Sequence, residues 1–213
     1  MPLLSNDYEV IIVDDGSTDR TSAIADDLAR DSPFVSVVHH TKNAGYGSAL
    51  RSGFARASKE LIFYTDGDGQ YDTGDLPKLL ERMTDDVDVV NGFKLKRADT
   101  ATRRVLGGVY NQFAHLLFRL PVRDVDCDFR LIRRKWMQQI ELASASGAIC
   151  VELTAKLQRA GCRFSEVGVN HFPRSHGRSE FFTAGRIIAT MFELVGLRFR
   201  LMNQQPVVER AHL

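Results

Sequence analysis

Cysteine is scarce in this chain and poorly spaced for chemistry. The three present, Cys127, Cys150 and Cys162, form no close pair. Zinc and dithiol motifs need such pairs, and an odd count argues against a disulfide scaffold. A reduced, cytoplasmic compartment is therefore expected. No basic-then-apolar leader opens the chain. No run of about 18 uncharged apolar residues is present, so no membrane-spanning helix is expected. Internal repeats and low-complexity tracts are also missing. Net charge is only +1, which gives no general attraction to nucleic acid, and no recognisable nucleic-acid-binding motif accompanies the basic residues. What remains is a 213-residue chain, 44% hydrophobic and 26% charged. That is an ordinary globular composition, long enough to bury a sizeable core in one domain.

Charge is uneven locally even though it balances overall. Residues 60–92 carry nine acids and two bases, whereas residues 94–135 carry eleven bases and four acids. An acidic segment followed by a basic one can bind a cation and an anion side by side. A solvated surface is the plainer account of such runs, and for Arg133, Arg134 and Lys135 it is the preferred one.

Apolar β-branched runs at Tyr8 to Val13, Phe34 to Val38, Leu61 to Thr65 and Val87 to Asn91 predict strands. Helical patterns separate them: one after Gly16 with Ile24 and Leu28 on its buried face, one over Gly45 to Ala57, one over Asp75 to Met83. This alternation predicts βα units and a mostly parallel sheet flanked by helices. The pattern changes after residue 92. Helices are expected over Arg103 to Leu120 and Ala148 to Ala160, and strands near "DVDCDFRLIRR" and over Arg163 to His171. Phe181 to Met202 reads as a helix with a wide apolar face and a narrow polar stripe of Arg186, Thr190, Glu193 and Arg200. Such a face buries against the core, a membrane surface or a partner helix. Residues 1–180 are expected to form the main α/β domain and 181–213 an amphipathic helix and tail.

Ligands bind outside the carboxyl ends of parallel strands in open α/β sheets. Three polar clusters fall at such ends: Asp14 to Ser17, Asn43 to Gly47 and Asp66 to Gln70. In the last, Asp66 and Asp68 are two apart, so on an extended stretch they point the same way. Converging carboxylates repel unless a cation or proton lies between them. Oxygen ligands of this kind choose Mg²⁺ or Mn²⁺, and Gln70 can add a neutral oxygen. A calcium loop counted from Asp66 needs glycine and an acid where Tyr71 and Pro77 stand, so that reading fails. A polar turn that binds nothing remains open. Gly45 and Gly47 let backbone N–H groups approach an anion or a sugar at a helix start. No Gly-Lys-Ser/Thr follows, and Leu50 breaks a G-x-G-x-x-G match. Asp14 or Asp15 can accept from a nucleobase or ribose, or cap the following helix.

In order, "VIIVDDGSTDRT", "NAGYGSALRSGF", "YTDGDGQYD", "VVNGFK", "DVDCDFRLIRR" and "RSHGRSEFF" resemble the family 2 glycosyltransferases of GT-A fold. The closest resemblance is to dolichol- and polyprenyl-phosphate mannose or glucose synthases. The resemblance implies a GT-A-like α/β domain and metal-dependent, inverting transfer from a UDP- or GDP-sugar to a polyprenyl phosphate. This would occur at the cytoplasmic face of a membrane the chain touches peripherally. It implies that Asp15 contacts the nucleoside, with Gly45 and Gly47 beside the donor. Asp66, Asp68 and Gln70 would hold Mg²⁺ or Mn²⁺. Arg174, Arg178 and Ser179 would lie on a loop closing over the diphosphate and acceptor phosphate, and Arg103, Arg104 and Arg130 would help hold the acceptor. A phosphate acceptor needs no strong base; for a sugar hydroxyl, Asp124, Asp126, Asp128 and Glu152 are candidates. The sequence departs from the pattern in three ways. The usual first strand, with its Pro-x-Tyr-Asn-Glu loop, has no counterpart, Tyr46 stands where lysine is frequent, and no transmembrane pair follows. The alternatives are a transferase of the same fold with a saccharide or cell-wall glycan acceptor, and a truncated, non-catalytic transferase-like module.

Overall fold

Six short runs of β-branched and aromatic residues form the strands, which the computed structural model describes together with seven helices. The residues described are 5–95, 101–174 and 184–203. The strands are β1 (Val10–Asp14), β2 (Val35–His39), β3 (Leu61–Thr65), β4 (Val89–Lys94), β5 (Phe129–Arg133) and β6 (Phe164–Val169). The helices are α1 (Thr21–Asp31), α2 (Tyr46–Arg56), α3 (Leu76–Arg82), α4 (Ala101–Phe118), α5 (Arg134–Met137), α6 (Ala148–Arg159) and α7 (Ala184–Asn203).

The sheet differs from the expected mostly parallel one in two ways. First, β5 runs antiparallel between β3 and β4, and only β4 with β6 and β1 with β2 are parallel. β5 lies inside its ladder, with Phe129, Arg130, Leu131 and Ile132 all buried. Second, the strands fall into two ladders, β1-β2 and β3-β5-β4-β6. The Val10 amide donates to Phe34 and the Asp14 carbonyl accepts from His40. Ile11 and Val13 therefore turn their backbone groups away from β2. The Glu60 carbonyl accepts from Arg134, which by alternation turns Leu61, Phe63 and Thr65 away from β5.

The open sides of β1 and β3 are bridged at their starts by Glu9 and by an ion pair of Asp7 with Lys59. The Glu9 carboxylate accepts from Ser58 N at 2.6 Å, Ser58 Oγ at 3.0 Å and Lys59 N at 3.1 Å. Helix α2 covers both strands, with Gly53 against Val13 and Phe54 edge-on to Tyr64 at 5.4 Å. The sheet is divided where the resemblance finds no counterpart to the usual first strand.

Packing corrects two helix faces. Ile24 and Leu28, expected to be buried, are about half exposed, and Ala25 is the buried residue of α1. A two-stranded ladder is too narrow to cover a full helix face. In α7, Leu194, Leu197 and Leu201 enter a core shared with Tyr110 and Ala114 of α4 and Val151 and Ala155 of α6. Its expected polar stripe is partly inside: Thr190 is buried and Glu193 accepts from Ser146 Oγ at 2.5 Å.

Candidate functional site

The three polar clusters meet at the carboxyl ends of β1 and β3, joined by side chains. Asp14 ends β1 and is buried. It accepts from Ser17 N at 3.0 Å, Ser22 Oγ at 2.5 Å and His39 Nδ1 at 3.0 Å. Hydrogen bonds from Ser17, Ser22 and His39 hold its carboxyl well below the usual range. Asp14 is thus a loop anchor. Asp15 reaches the second cluster. Its Oδ1 accepts from His40 Nδ1 at 2.6 Å and Ala44 N at 2.9 Å, and its Oδ2 from Gly45 N at 2.8 Å. Burial works against its charge, but the bonds from Ala44, His40 and Gly45 outweigh it and lower its pKa.

These bonds revise the sequence reading of Asp15, Gly45 and Gly47. Both Asp15 oxygens serve the neighbouring loop, so a nucleoside would have to compete for them. The Gly45 amide is the one bonded to Asp15, and Gly47 N donates to the Ala145 carbonyl at 2.8 Å. A Cβ on Gly47 would lie 2.3 Å from the Ser144 carbonyl, and Gly45 combines φ +96 with the Ala145 carbonyl 2.6 Å away. The glycines are required because residues 144–145 press on them. Their N–H groups are already taken, by the Asp15 carboxylate and the Ala145 carbonyl, rather than open to a bound anion.

The acidic loop is pinned from behind. Gln70 is buried, its amide nitrogen donates to the Phe172 carbonyl at 3.1 Å, and Phe172 N donates back to the Gln70 carbonyl at 2.8 Å. Gln70 N donates to Asp68 Oδ1 at 3.0 Å. This pairing carries the chain after β6 to the loop, and Arg174 Nη2 donates to Asp68 Oδ2 at 2.6 Å. Arg174 Nε is buried with no partner among the described residues.

Asp128 completes the group. The β3–β5 register pairs Thr65 with Phe129, and the next step sets Asp66 opposite Asp128. Tyr46 Oη donates to Asp66 Oδ1 at 3.0 Å, and Cys150 Sγ donates to Asp128 Oδ1 at 3.2 Å. Burial, then the charges of Asp128 and Asp68, push the Asp66 carboxyl up to about 8. Burial also raises Asp128. Lys94 at the end of β4 donates to the Asp126 carbonyl at 2.9 Å and lies 3.7 Å from Asp124 Oδ2. Sequence reasoning left Asp128 as one of four candidate acids, treated Tyr46 only as a departure and passed over Lys94. The antiparallel register was the missing signal.

The residues present fit a hard divalent cation. The Asp66 carboxyl, pushed up by burial and then by the charges of Asp128 and Asp68, is one that a cation would relieve, and Arg174 already stands against Asp68 as a positive charge. Asp66, Asp68 and the Gln70 amide oxygen are the ligands the chain can offer. Among the described residues no group of three or more His, Cys, Asp or Glu side chains is placed to hold a metal ion. The remaining ligands would be donor phosphate and water, as is usual for Mg²⁺.

The other predicted residues are not gathered here. Arg130 corrects the acceptor reading, since it is 0% exposed. Its guanidinium donates to Asn91 Oδ1 at 2.5 Å, Thr154 Oγ1 at 3.0 Å and the Val125 carbonyl at 3.2 Å. A side chain so enclosed joins β5 to β4 and α6 and cannot meet an acceptor. Glu152 is likewise committed, to Ser144 N at 2.7 Å and Lys156 Nζ at 2.7 Å. Arg103 and Arg104 lie in the first turn of α4, and Arg104 is exposed. Arg178 and Ser179 lie outside the described residues.

Comparison with known proteins bears on this geometry. The family model described as Glycosyl transferase family 2 matches residues 3–141. The chain is 30% identical over 193 residues to undecaprenyl-phosphate 4-deoxy-4-formamido-L-arabinose transferase of Pseudomonas aeruginosa, covering 90% of the chain and 56% of that relative. It is 30% identical to polyprenol monophosphomannose synthase of Mycolicibacterium smegmatis, covering 93% of the chain and 80% of the relative. The chain thus spans little more than half the length of the first of these relatives. A crystal structure of glucosyl-3-phosphoglycerate synthase from Mycobacterium tuberculosis with Mn²⁺, UDP and glucosyl-3-phosphoglycerate superposes with a TM-score of 0.64 at 19% identity. That match covers 90% of this chain and 68% of the other.

Proposed function

The chain belongs to glycosyl transferase family 2, and from that premise we propose that it moves a sugar, with inversion, from a nucleotide-sugar donor to the phosphate of a polyprenyl-type lipid. One observation carries the reading. Arg174 lies 2.6 Å from Asp68, with no partner for its Nε among the described residues, so groups suited to a cation and to a phosphate share one point. The relatives named for undecaprenyl-phosphate and polyprenol substrates support the acceptor class. The Mn²⁺ and UDP in the superposed synthase support a UDP-type donor and a divalent ion.

The chemistry needs few groups. An acceptor phosphate is ionised near neutral pH. Its oxygen attacks the anomeric carbon, and the bond from that carbon to the diphosphate breaks, the electron pair leaving with the nucleotide. No proton moves, so no general base is required. A divalent ion at Asp66 and Asp68 would neutralise charge on the departing diphosphate. Arg174, once released from Asp68, offers a planar fork of donors to phosphate oxygens.

A lipid acceptor calls for contact with a membrane. Among the described residues no helix is long and apolar enough to cross one. Helix α7 instead carries an exposed apolar stripe of Ile188, Phe192, Phe199 and Met202, with Phe192 74% exposed. We take this stripe to lie in the interface plane, at the inner face of the membrane. Replacing Phe192 and Phe199 together by aspartate is expected to reduce co-sedimentation with anionic vesicles about tenfold or more, since each buried Phe contributes about 1.5–3 kcal/mol. Unchanged sedimentation removes α7 as the contact.

A second reading, a transferase-like module that binds without turning over, draws on the engagement of Asp15, Gly45 and Gly47 within the protein. Calorimetric titration of the full chain with UDP and with GDP, with and without Mn²⁺, separates the two. Mn²⁺-dependent binding of one nucleotide is the expected result, followed by transfer to a polyprenyl phosphate in preference to soluble sugars. Binding of neither nucleotide supports the module, and preference for soluble sugars supports a saccharide acceptor.

A further inference from the structure

We propose that Tyr46 is a positioning residue of the cation site, its buried phenol holding Asp66 beside Asp128 and aiming it toward Asp68. The inference rests on the reading of Asp66 and Asp68 as cation ligands. Its starting point is the register, which sets Asp66 opposite Asp128 one step beyond the Thr65–Phe129 pair. Like charges directly opposite on antiparallel strands repel. Lys94, the nearby cation, is bonded to the Asp126 carbonyl and lies beside Asp124. Its charge favours both carboxylates from a distance, as that of Arg130 does for Asp128, and the donors in direct contact are neutral: Tyr46 Oη on Asp66 and Cys150 Sγ on Asp128.

The phenol stands between the two acids, donating to Asp66 Oδ1 at 3.0 Å and close enough to Asp128 to favour its charged form as well. No protein donor reaches Asp66 Oδ2 among the described residues, so that oxygen remains for a cation. The ring is set by the backbone beneath it. Tyr46 opens α2, between Gly45 at φ +96 and Gly47, whose amide is fixed on the Ala145 carbonyl. A lysine at this position would offset part of the acids' charge, whereas a phenol orients the carboxylate and leaves that charge for the metal. Burial keeps the phenol protonated, with its pKa well above the ordinary value.

The test is Mn²⁺ binding by the full chain, read from the electron paramagnetic resonance of the free ion, with and without UDP. Tyr46→Phe removes one oxygen and keeps the ring. Its Mn²⁺ dissociation constant is expected to rise about tenfold, the scale seen when an outer partner of a metal ligand is removed. Replacing Tyr46 by 4-aminophenylalanine restores a neutral donor at the ring's end and is expected to recover most of the affinity. Equal affinities for wild type and Tyr46→Phe, or no recovery with the amino variant, would overturn the positioning role. Failure of the wild-type chain to bind Mn²⁺ in either condition would instead overturn the cation site itself.

Discussion

Asp68→Ala is expected to lower sugar transfer at least about a thousandfold while moving the thermal midpoint little. Loss of one charge-stabilising group at a transferring centre costs about 10²–10³ in turnover, and Asp68 serves two such groups. One oxygen would bind the cation and the other now holds Arg174 at 2.6 Å. Alanine removes the ligand and the anchor together. The fold has little stake in this side chain, which is 16% exposed and makes only a loop bond to Gln70 N besides the contact with Arg174. The measurement is Mn²⁺-dependent transfer of labelled sugar to a polyprenyl phosphate, beside a thermal melt. Turnover at the wild-type rate would remove the metal assignment, and a collapsed melt would show that the loop bond had been undervalued.

The parts of this arrangement legible in the sequence are those that local pattern controls. Strand β3 lies where its apolar run puts it, Leu61 to Thr65, and the acids that follow end it as expected. The clusters at Asp15, Gly45 and Asp66 were readable as turn chemistry at strand ends, and their convergence followed from one sheet edge. Partners were not readable. Periodicity identifies a strand but not its neighbours, so the insertion of β5 between β3 and β4 was hidden, and with it the pairing of Asp66 with Asp128. Gly47 read as an opening for an anion or a sugar, whereas the structure requires it because of a carbonyl at Ser144, far along the chain. Helix α7 shows the same limit. Its spacing gave a polar stripe and an apolar face, but packing on α4 and α6 chose which part went inside. Phe192 and Phe199 were left in solvent and Thr190 was buried.

The divided sheet bears on function through the same edges. Ile11, Val13, Leu61, Phe63 and Thr65 turn backbone groups toward a side that no described strand pairs. Unpaired edges must be met by water or by another chain. Among the described residues, Glu9, the Asp7–Lys59 ion pair and helix α2 tie the two ladders together on that side. The loops of Asp15 and Gly45 stand on the β1-β2 ladder, and the acidic loop stands on the other. The contact of Tyr46 with Asp66 is therefore one of the few that hold the two halves of the candidate site in register.

Arg130→Ala is expected to lower the thermal midpoint by about 10 °C and to lower kcat rather than raise the KM for the lipid phosphate. A sequence reading makes Arg130 an acceptor ligand, for which the variant would raise the KM for lipid phosphate at constant stability. The structure makes it a tie between β5, β4, α6 and the loop before β5, through Asn91, Thr154 and the Val125 carbonyl. Truncation leaves those acceptors buried without a donor and opens a cavity. Removing one member of a buried polar network costs about 3–5 kcal/mol. A domain of this size loses about 2–4 °C per kcal/mol, and its whole stability is about 5–15 kcal/mol. The site suffers in turn. The Val125 carbonyl belongs to the loop that ends at Asp128, and Arg130 is two residues further on the same strand. When that tie is cut, Asp128 is no longer fixed opposite Asp66, so kcat should fall even at temperatures where the variant remains folded. A melt unchanged within about 2 °C, with KM alone raised, would return Arg130 to the acceptor site and show that its enclosure opens in solution.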